Sequence, residues 1–143
     1  MPEFERYRSK AEIEEVVRRF ESCDYSTEEF FHARHLTVAA WYFSYFDTGA
    51  AEERMRAGLQ KFIRHHGKNG CHVTITEFWL RLVKRNLQEV GAGEDFVARI
   101  NQVVEGLNDK SLIYNHYSRE RLDSPEAKAA WIEADLKQIS GVV

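Results

Sequence analysis

Between Ser26 and Asp47 the chain reads STEEFFHARHLTVAAWYFSYFD, and no other run constrains the fold as much. Nothing in it breaks a helix before Phe46. Ser26 and Glu29 form a capping-box pattern, in which a hydroxyl accepts from a backbone N–H three residues on and a carboxylate reaches back. At about 100° per residue, Phe31, Val38, Ala39, Tyr42, Phe43 and Phe46 share one broad face. Arg34, Thr37 and Ser44 gather on the narrow opposite side. So wide an apolar face must be covered by several neighbours, which predicts a central helix over residues 26–47. His32 and His35 fall in the middle of that face, with Glu28 one turn ahead of His32.

The remaining segments supply the neighbours. Ser9 and Glu12 repeat the capping box ahead of Ile13, Val16, Val17 and Phe20. A third helix is expected after Asp47-Thr48-Gly49, through about His66, with Met55, Leu59, Phe62 and Ile63 inward and Gly67 as the residue that stops it. A fourth runs from about His72 or Val73 to Val90, where a 3.6-residue period outweighs the β-branched Thr74 and Ile75. Gly91-Ala92-Gly93 separates it from a fifth, Glu94 to Leu107. Leu112, Ile113, Tyr114 and Tyr117 suggest a short helix, and Ser124-Pro125-Glu126 is a helix start with proline at its first position. No run alternates with period two, so residues 1–143 read as one all-α domain, a bundle of five or six helices. Residues 1–8 read as an arm, ordered only where Phe4 and Tyr7 find a surface.

Composition excludes several functions. A net charge of −3 and a pI near 6.1 give no basic field for nucleic acid or an anionic membrane. MPEFERYRSK lacks the apolar core of a signal peptide, and no apolar run is long enough to span a bilayer. Two cysteines are too few for a disulfide framework. A cytoplasmic protein is the expectation. Phe4, Trp41 and Trp131, unpaired in the sequence pattern, leave room for a homodimer.

Four of the six histidines fall on inward faces: His32, His35, His66 and His72. Residues at i and i+3 lie roughly 5–6 Å apart at Cβ, close enough for both rings to hold one ion. His72, heading the inward line of another helix, offers a third nitrogen. Three histidines with an open position suit zinc, nickel or iron, with Glu28 as acid/base on bound water. The expectation is a metal-binding protein, with a metal-dependent enzyme acting on a small polar substrate as the further reading. The alternative is a metal-free module that binds a small ligand or a protein partner, its histidines hydrogen-bonded to groups such as Thr76, Tyr42 and Tyr45. Thr76, Trp79, Tyr42, His66, His116 and Arg119 are the expected pocket residues, Arg119 because a guanidinium clamps carboxylate or phosphate. For His66, a last-turn position facing the helix dipole is the stronger reading, which leaves it a peripheral pocket candidate.

Three segments carry a resemblance: His32-x-x-His35-Leu36-x-Val38-Ala39, His72-x-Thr74-x-Thr76-x-Phe78-Trp79, and Ser118-Arg119-Glu120-Arg121-Leu122-x-Ser124-Pro125-Glu126-Ala127. With them the chain resembles a family of small bacterial all-helical proteins without an assigned activity, over most of residues 26–136. The resemblance implies a histidine pair like His32/His35, a His-Gly near His66-Gly67 and a Tyr-His-x-Thr segment. Here Cys71 takes the place of that tyrosine. It implies nothing about the reaction.

Overall fold

The computed structural model describes residues 4–91, 93 and 95–139. The first residues of the expected arm, Ala92 of the glycine-flanked separator and Glu94, the expected start of the fifth helix, lie outside them. Seven α-helices and one 3₁₀ helix follow in the order α1 (Lys10–Glu21), α2 (His32–Tyr45), α3 (Thr48–His65), α4 (Val73–Val90), α5 (Phe96–Leu107), the 3₁₀ helix Lys110–Asn115, α6 (Arg119–Leu122) and α7 (Pro125–Ala129). Among the described residues there is no strand, and no helix is long and apolar enough to cross a membrane.

The all-α bundle stands; the expected number of helices, five or six, is corrected to eight among the described residues. The difference lies after Leu107. Ser118 Oγ accepts from Arg121 N–H at 3.2 Å and Ser124 Oγ from Ala127 N–H at 3.2 Å, so each serine opens its own short helix. Pro125 has no N–H to continue a helix begun at Arg119, and the residue before a proline is biased away from helical angles.

The central helix is also shorter than residues 26–47. The Ser26–Glu29 box does close, with Glu29 N–H on Ser26 Oγ at 3.1 Å and Ser26 N–H on Glu29 Oε1 at 2.8 Å. It caps a single turn. The chain then leaves the helix at Phe31 (φ −79°, ψ 172°) and restarts at His32. The break sends Phe30 into the core at 3% exposure, while Phe31 stays half-buried under the Arg34 guanidinium, 4.3 Å from its ring centre.

From there α2 packs against α1, α3, α4 and α5. The stripes read from sequence meet it: Ile13, Val16, Val17 and Phe20 from α1, and Ile100, Val103, Val104 and Leu107 from α5, are buried. Each such side chain contributes roughly 1.5–3 kcal/mol on leaving water. The arm finds its surface. Asn101 accepts from Tyr7 N–H at 2.9 Å and donates to Tyr7 O at 3.0 Å, and Tyr7 Oη lies 2.8 Å from Thr37 Oγ1. The aromatics that left room for a homodimer have partners within the chain: Phe4 on Tyr7, Trp41 on Tyr45, and Trp131 under Arg81.

One close approach fixes how α1 lies on α3. A Cβ at Gly58 would sit 2.7 Å from Cε2 and 2.8 Å from Cζ of Phe20, which is 1% exposed. Gly58→Ala adds about 1 kcal/mol of helix propensity but overpacks a rigid ring, which costs typically 1–3 kcal/mol. We expect a net loss of about 1 kcal/mol in urea unfolding. Gly106→Ala, whose nearest neighbour would be Asn86 Oδ1 at 3.6 Å, should be neutral or stabilising in the same measurement.

Candidate functional site

Between α2, α3 and α4 the packing leaves a cavity of about 660 Å³. Its floor follows from helical spacing. α2 turns His32, His35, Leu36 and Ala39 toward it, α3 contributes Met55, Leu59 and Ile63, and α4 contributes Ile75, Thr76, Trp79, Leu80 and Val83. The roof is the 3₁₀ helix and α6, through Lys110, Ser111, Ile113, Tyr114, Arg119 and Leu122.

His32, His35 and His72 do reach this one cavity, but not as a ligand set. His72 is the N-cap of α4. Its Nδ1 accepts from Ile75 N–H at 3.2 Å and its Nε2 donates to Leu122 O at 2.6 Å. Both nitrogens are therefore spoken for, and no lone pair is left for an ion. His32 donates from Nε2 to Leu107 O at 3.1 Å, with the edge of Trp79 against its ring at 4.4 Å. His35 stacks on Phe30 at 3.9 Å. Among the described residues, no group of three or more His, Cys, Asp or Glu is placed to hold a metal ion. The histidine-cluster metal site is corrected accordingly: a helix cap and two backbone carbonyls take both nitrogens of His72 and one of His32.

Glu28 does not belong to the cavity. It lies in the exposed turn before Phe31, where its own backbone N–H, then the hydroxyls of Thr27 and Ser26, hold its carboxyl below the ordinary value. Burial would have pushed it the other way. Of the expected pocket residues, Thr76, Trp79 and Arg119 line the cavity, whereas Tyr42, His66 and His116 do not. Tyr42 donates to Glu21 at 2.7 Å beside α1. His66 caps α3 and donates to Tyr25 O at 2.9 Å. His116 donates from Nδ1 to Lys137 O at 2.8 Å and so ties down the C-terminal segment.

Sequence reasoning missed Lys110, Ser111 and Cys71. The first two sit in a 3₁₀ helix, whose three-residue repeat shows no amphipathic stripe over so short a span; Asp109, which caps that helix through Ser111 N–H at 3.0 Å, is the local signal for it. Cys71 lines the wall, and burial pushes its thiol up, so it is a neutral lining group rather than a thiolate nucleophile.

The electrostatics are those of a dry site. Burial, and then the charge His32 would carry, push the His35 imidazole down to about 3, opposed by the Phe30 backbone. Burial also lowers His32, against the pull of the Leu107 carbonyl. At neutral pH both rings are uncharged. Among the described residues no carboxylate lines the cavity. The polar equipment is thus neutral imidazoles, a thiol and the hydroxyls of Thr76, Ser111 and Tyr114, with two cations in the roof: Lys110, and Arg119, whose guanidinium lies 4.3 Å from the Tyr114 ring centre. Comparison with known proteins finds no matching family model, no matching curated protein and no matching solved structure.

Two measurements follow. His72→Ala removes a cap worth about 1 kcal/mol and a buried hydrogen bond of similar size, so a loss of roughly 2 kcal/mol is expected, with faster amide exchange over residues 110–122 than in α1. The second concerns acid. Below the ordinary value of 6.5 the unfolded chain protonates His35, while the folded protein resists until about pH 3. Stability is full above pH 6.5 and falls with pH beneath it, by about 2 kcal/mol between pH 6.5 and 5 from this residue. His35→Phe should remove most of that slope in denaturant titrations at the two pH values, leaving the part due to His32.

Proposed function

We propose that the protein is a metal-free binding module for a small, largely apolar molecule held between α2, α3 and α4. The observation that carries this reading is the cavity. Its volume falls within the range of ligand pockets, roughly 300–1,000 Å³, and its make-up matches theirs: apolar walls with a few polar groups fixing orientation. The chemistry of the lining favours binding over turnover, because the cavity offers neutral imidazoles and a neutral thiol and no carboxylate to pair with them. The three segments behind the family resemblance all contribute to this lining, His32, His35, Leu36 and Ala39 from the first, His72, Thr76 and Trp79 from the second, and Arg119 and Leu122 from the third. That shared destination supports placing the chain among the small helical proteins it resembles. The free Cys23 and Cys71 support a cytoplasmic setting.

The test is direct. Decanol should change the intrinsic tryptophan emission, since Trp79 is a wall residue, and should raise the melting temperature by mass action. Ala39→Phe places a ring in the cavity from the middle of α2 and should abolish both effects while leaving the far-UV circular dichroism unchanged. Binding undiminished in a folded Ala39→Phe variant would remove the cavity as the site.

A further inference from the structure

The two ends of the roof differ from the floor in one respect: they carry charge. Lys110 and Arg119 both line the cavity, and among the described residues neither forms an ion pair. The acidic residue closest in sequence, Asp109, does not line the cavity: its Oδ1 accepts from Ser111 N–H at 3.0 Å and Ser111 Oγ at 2.7 Å, although its charge acts on His32 in the sense opposite to that of Lys110. Lys110 also lies beside the histidine pair. His32 is bonded to Leu107 O, three residues before Lys110, and the lysine charge acts on both His32 and His35, disfavouring their protonation. Cations without an ion-pair partner over apolar walls are half of a recognition site for an anion. The missing half is a single negative charge on an apolar body.

Building on the ligand-binding reading above, we propose that the cavity takes an amphiphilic monocarboxylate, its carboxylate at Lys110 and its apolar body between Leu36, Met55 and Leu59. Charge number selects a monoanion. The imidazoles are uncharged at neutral pH, so Lys110 is the one cation at the histidine end, and a phosphate monoester would bury a second charge without a partner. Arg119, stacked on Tyr114, guards the opposite stretch of the roof and adds to the field that draws an anion in.

Three probes of one chain length separate this class from the underlying reading: decanoate, decanol and decylammonium, titrated calorimetrically into the full chain at neutral pH. Decanoate should bind at least about tenfold more tightly than decanol, and decylammonium more weakly than either. Lys110→Met, at an exposed position, should lower decanoate affinity to that of decanol, and Lys110→Glu should invert the order of the two ions. Equal binding of decanoate and decanol, or an unchanged preference in Lys110→Glu, would overturn the carboxylate class while leaving the cavity as a site for apolar ligands. Failure of all three probes to bind would overturn both.

Discussion

The burial of Phe30 is the interaction from which the rest of this architecture follows. Its ring lies 4.7 Å from Phe20 of α1, 5.1 Å from Phe62 of α3, 5.9 Å from Tyr25 and 3.9 Å from His35. Aromatic pairs of this kind add about 0.5–1.5 kcal/mol each beyond the area they bury. Together they exceed what one more helical turn returns, so the chain gives up helical continuity at Phe31 and seats Phe30 instead. That choice sets the register of α2. It directs His32 and His35 toward α4 and leaves Glu28 in a solvent-facing turn.

The histidines then act as ties more than as a reactive cluster. The roof over the cavity runs from Leu107 to Leu122, and each end is held by an imidazole from below: His32 of α2 on Leu107 O, and His72 at the head of α4 on Leu122 O. A third tie, His116 on Lys137 O, fastens the segment that follows, and Thr74 adds a fourth by donating to Ala130 O at 2.9 Å and accepting from Ile132 N–H at 3.3 Å. These segments have little regular structure of their own. Their carbonyls, left unpaired by helices of four to six residues, need donors. Imidazoles supply them without bringing charge into an apolar region.

Much of the fold was legible because it is written in caps and stripes. Ser9 and Ser124 mark helix starts that the structure keeps, Asp47 caps α3 three residues earlier than the turn reading placed its start, and Gly67, at φ +73°, ends α3 as its position suggested. What periodicity does not encode is a tertiary preference strong enough to break a helix with no breaker in it, as at Phe31, or short helices opened one after another by serine. The site was legible in the same uneven way. His32, His35, His72, Thr76 and Trp79, read as inward from the sequence, all line the one cavity. An inward face does not say whether a nitrogen will meet a metal, a ligand or a carbonyl. His66 and Tyr42 also point inward, yet each found a partner close to its own helix end, Tyr25 O and Glu21, before reaching the cavity.

A cavity bounded by Leu36, Met55, Leu59 and Ile75 has to be kept open against the tendency of such side chains to close on one another. In engineered cores, lost packing costs about 24 cal/mol per Å³ of void, so a floppy roof would sink into the space. The pinning of the roof at Leu107 and Leu122 opposes that collapse. Arg56 and Glu77, paired at 2.6 Å with the carboxylate largely buried, fix α3 relative to α4 along another wall. The same imidazole, His32, that anchors the roof also fronts the cavity with its Trp79 contact, so whatever occupies the space touches a group on which the roof depends. Occupancy and roof order are therefore coupled through His32: a ligand that packs against its ring stabilises the tie to Leu107, and loss of that tie would loosen Lys110 three residues on. A chain of this size keeps such a space by spending polar contacts at its edges, which is the physical reason the histidines sit where a sequence reading places a reactive centre.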